Sequence, residues 1–129
     1  MRFLDLIEKI NEKELDVDLD MIKLAYEYAD EAHKGQMRKS GEPYINHPLA
    51  TAYKLADMQM DEATIIAGIL HDVPEDTDRT LKDVKKEFGS EVAKLVSGIT
   101  KLGQLKYRGM ERYIENLRRM FVAMAKDIR

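Results

Sequence analysis

Apolar residues recur along this chain at the three- and four-residue spacing of a helix, and no run alternates in the manner of a strand. Phe3, Leu6, Ile7 and Ile10 predict a short amphipathic first helix. Asp18 or Asp20 can cap a second, running through Tyr28 and Ala32, and Gly35 is placed to stop it. Residues 36–46 carry Gly41 and Pro43 and read as a loop. Pro48 is tolerated in a first helical turn and opens a third helix to about Met58. Asp61 caps a fourth, whose Ile65, Ile66, Ile69 and Leu70 are too apolar for a surface and predict a central helix. Pro74 interrupts it by removing a backbone donor and disfavouring helical geometry at Val73. Thr80 and Asp83 form a capping-box pattern for a helix ending at Gly89, and Ser90 caps the next, through about Leu102. A loop around Gly103 and Gly109 then leads to a last helix over roughly Glu111 to Ile128.

The fold class this predicts is all-α, a compact bundle of about six or seven helices in a single domain over residues 1–129. The last helix runs into Asp127, Ile128 and Arg129 without a cap or a breaker. Either a frayed terminus or an excerpt from a longer chain gives that pattern.

Composition narrows the function classes. Charged residues make up 35% of the chain, but the net charge is only −3, which gives no broad basic surface for nucleic acid. An anionic substrate would have to be collected by local Lys and Arg or by a metal. The absence of cysteine excludes disulfides, thiolate zinc sites and cysteine nucleophiles. No apolar run approaches the ~18–20 residues of a membrane span, and the N-terminal stretch lacks the continuous apolar core of a secretory signal. A cytoplasmic protein that binds neither membrane nor nucleic acid is the expectation.

The 3 histidines are His33, His47 and His71. His71 is followed by Asp72 at the end of the most apolar helix, with Glu75 and Asp76 close behind. On a continuing helix His71 and Glu75 would share one face, as would Asp72 and Asp76. Ionisable groups crowded at an apolar helix end are costly unless compensated. A divalent cation would do this, and imidazole with carboxylate oxygen suits Mn, Fe or Zn rather than Ca. A solvated polar helix end with a half-buried histidine has the same spacing, which does not separate the two readings. His47, at a loop-to-helix junction, could supply a second imidazole or simply flank the helix cap. His33 lies near a packing face and reads as a core histidine hydrogen-bonded to backbone. Arg38, Lys39 and Ser40 beside Gly41 could receive a phosphate or a planar base, or form a solvated basic turn.

Taken together, AHKGQMRKSGEPYINHP (residues 32–48), GILHDVPEDT (68–77), FGSEV, SGITKL and ENLRRMFVAMAKDIR resemble the N-terminal hydrolase domain of the RelA/SpoT family. These are the bifunctional (p)ppGpp synthetase/hydrolases of the bacterial stringent response. The blocks occur in order from about residue 19 to the last residue. The resemblance implies an all-α HD domain holding one Mn²⁺. It implies His47, His71 and Asp72 as metal ligands, Glu75 and Asp76 as the pair that activates or orients the attacking water, and Arg38, Lys39 and Ser40 as guanine-nucleotide contacts. Pro74 departs from the aliphatic residue more usual at its place, with the acidic pair beyond it intact. Synthetase-only relatives lose that signature, so the resemblance implies hydrolase competence.

The larger departure is length. In the family the segment after DIR carries a final metal-binding aspartate and a nearby nucleotide-contacting asparagine, and Asp127 aligns before that segment. The synthetase and regulatory domains are absent as well. The expected reaction is metal-dependent removal of the 3′-pyrophosphate from ppGpp or pppGpp, giving GDP or GTP. For the isolated 129 residues, weak metal binding, little or no hydrolysis and self-association through the incomplete face are the expectations. Two alternatives remain: a non-catalytic, nucleotide-binding regulatory module, and an HD phosphohydrolase acting on another nucleotide.

Overall fold

A computed structural model describes residues 1–37, 41–103 and 119. The last helix expected over Glu111 to Ile128 and the Arg38–Ser40 loop therefore lie outside the described residues, apart from the helical position 119. Among the described residues there are seven helices: α1 (Phe3–Glu12), α2 (Leu19–Ala32), α3 (Asn46–Asp57), α4 (Glu62–Leu70), α5 (Val73–Asp76), α6 (Leu81–Phe88) and α7 (Ser90–Gly103). The extended pairing they contain is one isolated bridge between Met37 and Pro43.

Most helix starts follow local side-chain chemistry. Asp18 accepts from the Asp20 N–H at 3.0 Å and Asp61 from the Thr64 N–H at 2.9 Å, each satisfying a backbone donor that the helix leaves without a partner. Thr80 and Asp83 close the expected capping box, with bonds of 3.2 and 2.9 Å. Glycines at positive φ follow α2 and α6: Gly35 at 84° and Gly89 at 97°. Two starts differ from expectation. α3 begins at Asn46, two residues before Pro48, which still lies within the first turn where its missing N–H costs nothing. α7 includes Ser90 rather than following it.

The α4 segment is the centre of the bundle. Thr64 through Leu70 are all buried, and α4 packs against α2, α3 and α7. Its approach to α3 is close at Gly68, where an added Cβ would stand 2.6 Å from Leu55 Cδ1 and 3.7 Å from the Ala52 backbone. His47 lies in α3 and His71 directly after α4, so this contact sets how near those two side chains come. Beyond α4 the chain does not stay in one helix: Pro74 cannot donate to the Leu70 carbonyl, and a new four-residue helix starts at Val73. Val73 itself is helical and fully buried, although a following proline disfavours helical geometry there. Arg79 then ties the following loop to α2, donating to the Tyr28 carbonyl at 3.0 Å, pairing with Glu31 at 3.1 Å and lying 4.2 Å from the Tyr28 ring centre.

Replacing Gly68 with valine puts branched carbon into this full contact. We expect a loss of about 1–3 kcal/mol, the usual cost of overpacking a core, read as a lower midpoint in thermal or urea unfolding. An unchanged midpoint would mean that α3 and α4 separate freely.

Candidate metal centre

The site is assembled where three elements end or begin. His47 stands in the first turn of α3, His71 directly after α4, and Asp72 at the cap position of α5. His47 Nε2 lies 3.4 Å and His71 Nε2 3.2 Å from the same Asp72 oxygen, Oδ2. One donor atom from each of the three residues lies within 4.8 Å of the others. The two imidazoles meet edge to face, with ring centres 5.5 Å apart.

His71 is only 3% exposed, and its Nδ1–H donates to the Gly68 carbonyl at 2.6 Å. That bond assigns the Nδ1 proton and turns Nε2 toward Asp72, the arrangement that orients a ligating histidine. Burial works against the His71 imidazolium, but the Asp72 charge and hydrogen bond outweigh it, with support from the Gly68 carbonyl. The pKa of His71 therefore stands above the ordinary 6.5. Burial also opposes ionisation of Asp72. There the His71 charge and hydrogen bond prevail, aided by His47 and Tyr44, and hold the carboxyl down at about 2. Two imidazole nitrogens around an ionised carboxylate fit a divalent cation of the Mn, Fe or Zn type.

Asp76 and Glu75 are exposed on α5. The helix break means that His71 and Glu75 do not share the face of one continuing helix, as the spacing suggested. The short turn joins the two aspartates instead, through a bond from the Asp76 N–H to the Asp72 carbonyl at 2.9 Å. Tyr44 links them a second time, its hydroxyl standing 2.8 Å from Asp76 Oδ2 and 3.1 Å from Asp72 Oδ2. Gln36 reaches the same turn, donating through Nε2 to the Asp76 carbonyl at 2.6 Å.

Neither Tyr44 nor Gln36 stood out in the sequence. The signal for Tyr44 was its place three residues before His47 at a helix start, which brings both into one turn. His33 is buried as expected, but its Nδ1 meets the Gln36 side chain at 3.0 Å rather than backbone, and its ring stacks on Tyr44 with centres 4.6 Å apart. Arg38, Lys39 and Ser40 lie outside the described residues. Their described neighbours are Met37, in the bridge to Pro43, and Gly41, at φ 87°.

Comparison with known proteins places the chain in a family. The family model of the HD domain matches residues 25–129. The chain is 46% identical over 134 aligned positions to a guanosine-3′,5′-bis(diphosphate) 3′-pyrophosphohydrolase of Aquifex aeolicus, covering 95% of this chain and 19% of that protein. It is 50% identical over 109 positions to the bifunctional (p)ppGpp synthase/hydrolase SpoT of Escherichia coli K12, covering 84% of this chain and 16% of that protein. A GTP pyrophosphokinase of Myxococcus xanthus is 50% identical over 118 positions, 88% of this chain and 16% of the relative. The chain thus spans about a fifth or less of the length of these curated relatives. Among solved structures, a metazoan ortholog of SpoT described as hydrolyzing ppGpp superimposes with a TM-score of 0.57 at 36% identity, over 60% of this chain and 46% of its own. With the family model covering all but its first helix and the start of its second, this chain belongs to the HD domain family.

Proposed function

We propose that this chain is the hydrolase domain of a RelA/SpoT-type enzyme that removes the 3′-pyrophosphate of ppGpp or pppGpp. The observation that carries the reading is the convergence of His47, His71 and Asp72 on one point with Asp76 tethered beside it. That convergence occurs in a chain 46% identical to a protein named for this activity. His47 Nε2, His71 Nε2 and an Asp72 oxygen are the proposed ligands, and Mn²⁺ is the proposed ion. When bound, such a cation supplies charge that polarises a phosphoryl oxygen and acidifies water.

The chain's own residues do the rest. Asp76 is exposed to solvent and held by Tyr44, so it can accept a proton from the attacking water, with Glu75 aligning that water from the same turn. Hydrolysis joins the water oxygen to phosphorus, and the ribose 3′ oxygen leaves and regains a proton. Arg38, Lys39 and Ser40 are the proposed contacts to the guanine nucleotide, able to stack on the base and donate to phosphate. The domain would act in the cytoplasm.

Release of pyrophosphate from ppGpp with Mn²⁺, measured on the natural full-length protein, tests the reading. We expect turnover, and a loss in His71→Ala and Asp72→Asn greater than the about 10–100-fold seen for outer-shell changes around a metal. No turnover of ppGpp alongside hydrolysis of another nucleotide would overturn the substrate assignment. No turnover of any nucleotide, with nucleotide still bound, would favour a regulatory module.

The electrostatics of the pair also set a pH dependence. His71 must be neutral to ligate, and its pKa is raised, so protons compete with the cation until pH rises past that elevated value. Asp72, held at about 2, stays ionised throughout and adds nothing to the slope. Without metal the signs differ. The raised His71 stabilises the fold fully below 6.5 and loses that contribution as pH climbs through its folded value. The depressed Asp72 contributes above 3.8 and loses its share as pH falls toward about 2. The increase in melting temperature on adding Mn²⁺ should therefore grow as pH climbs past 6.5 toward the raised His71 value and level off beyond it. A metal-induced shift independent of pH over that interval would count against His71 as a ligand.

A further inference from the structure

The turn that carries Asp76 is held from outside the three converging donors, by Gln36 and by a tyrosine that also reaches Asp72. Gln36 fixes its backbone, donating to the Asp76 carbonyl at 2.6 Å. Tyr44 reaches the carboxylate itself, its hydroxyl 2.8 Å from Asp76 Oδ2 and 3.1 Å from Asp72 Oδ2. The tyrosine ring is in turn set in place: it stacks at 26° on the buried His33 imidazole, whose Nδ1 meets Gln36 Oε1 at 3.0 Å. A phenol has one hydrogen to give, and here two carboxylates lie within reach.

We propose that Tyr44 is a positioning residue that couples occupation of the His47–His71–Asp72 centre to the alignment of Asp76. In the empty centre the hydrogen is shared between the two aspartates. With Asp72 Oδ2 drawn toward a cation, the hydrogen passes to Asp76 and fixes which oxygen of that carboxylate is left to face solvent. The His33 stack and the Gln36 bond keep the ring and the turn in register while this happens. The proposal rests on the reading of the centre as a metal site.

The test uses the natural full-length protein and Tyr44→Phe, which keeps the ring and its stack on His33 and removes only the hydroxyl. Mn²⁺ is titrated while tyrosine absorption in the near ultraviolet is followed. The unaltered protein should give a tyrosine difference signal that saturates with occupancy, and Tyr44→Phe should lose it while still binding the ion. In steady-state hydrolysis of ppGpp, kcat should fall about 10–100-fold, the size of one hydrogen bond to a charged acceptor, with KM unchanged. The same difference signal in both proteins, or a raised KM at unchanged kcat, would overturn the proposal. Asp76→Asn should also weaken the tyrosine signal, which judges the coupling even if Tyr44→Phe fails to fold. A signal without ppGpp turnover would leave the coupling standing and remove the hydrolase reading, whereas turnover without a signal removes the coupling alone.

Discussion

One oxygen, Oδ2 of Asp72, is the point around which the described structure is arranged. It lies 3.4 Å from His47, 3.2 Å from His71 and 3.1 Å from the Tyr44 hydroxyl, on a side chain only 13% exposed. A carboxylate this deep in a helical bundle is costly unless its charge and lone pairs are met. Here the surrounding groups do more than offset burial, because the carboxyl is held at about 2 instead of being raised. The same interaction lifts the His71 pKa above its ordinary value, with Nε2 standing 3.2 Å from the carboxylate. Such a pair stands where a cation fits, and under the proposed ligation proton and metal would compete for one imidazole nitrogen.

Placing that oxygen demands that a fully apolar helix end abruptly beside the start of another. α4 supplies the rigidity, with every residue from Thr64 to Leu70 buried. Gly68 serves twice: it has no side chain to hold α3 away, and its carbonyl accepts the hydrogen bond from His71 Nδ1–H. Pro74 then prevents α4 from running on, so Asp72 becomes the cap of a new short helix rather than a side chain on the old one. The break is what lets both His71 and Asp72 turn toward His47. On an uninterrupted helix, adjacent residues point about a quarter-turn apart.

Much of this was legible because the signals are local. The caps at Asp18, Asp61 and Thr80 use side chains two or three residues from the N–H groups they satisfy, so sequence order is nearly spatial order. The burial of α4 followed from composition alone, and the HD pair with its acidic neighbours was readable as a pattern. The short α5 and the tyrosine clamp were not. Tyr44 meets Asp72 and Asp76 across 28 and 32 positions, and Gln36 meets the Asp76 carbonyl across 40. Neither residue type suggests metal chemistry by itself, and periodicity carries no information about which loop will fold over which turn. His33 was legible as buried, yet its partners, a glutamine side chain and a tyrosine face, depend on how the loop after α2 closes.

The two aspartates show why one short turn can hold groups suited to different tasks. Asp72 is buried and surrounded by imidazoles, an environment that stabilises a fixed negative charge and favours coordination over proton exchange. Asp76 is exposed, with one hydroxyl steering it and the rest of its carboxylate open to water. A residue that must accept and release protons needs that access, whereas a residue that must hold a cation needs to be shielded from it. Four positions along α5 separate the two, one helical turn, with Asp72 capping its buried start and Asp76 standing at its exposed end. Under the proposed roles, the division of labour would follow from where that single turn crosses the protein surface, and Tyr44 spans the crossing.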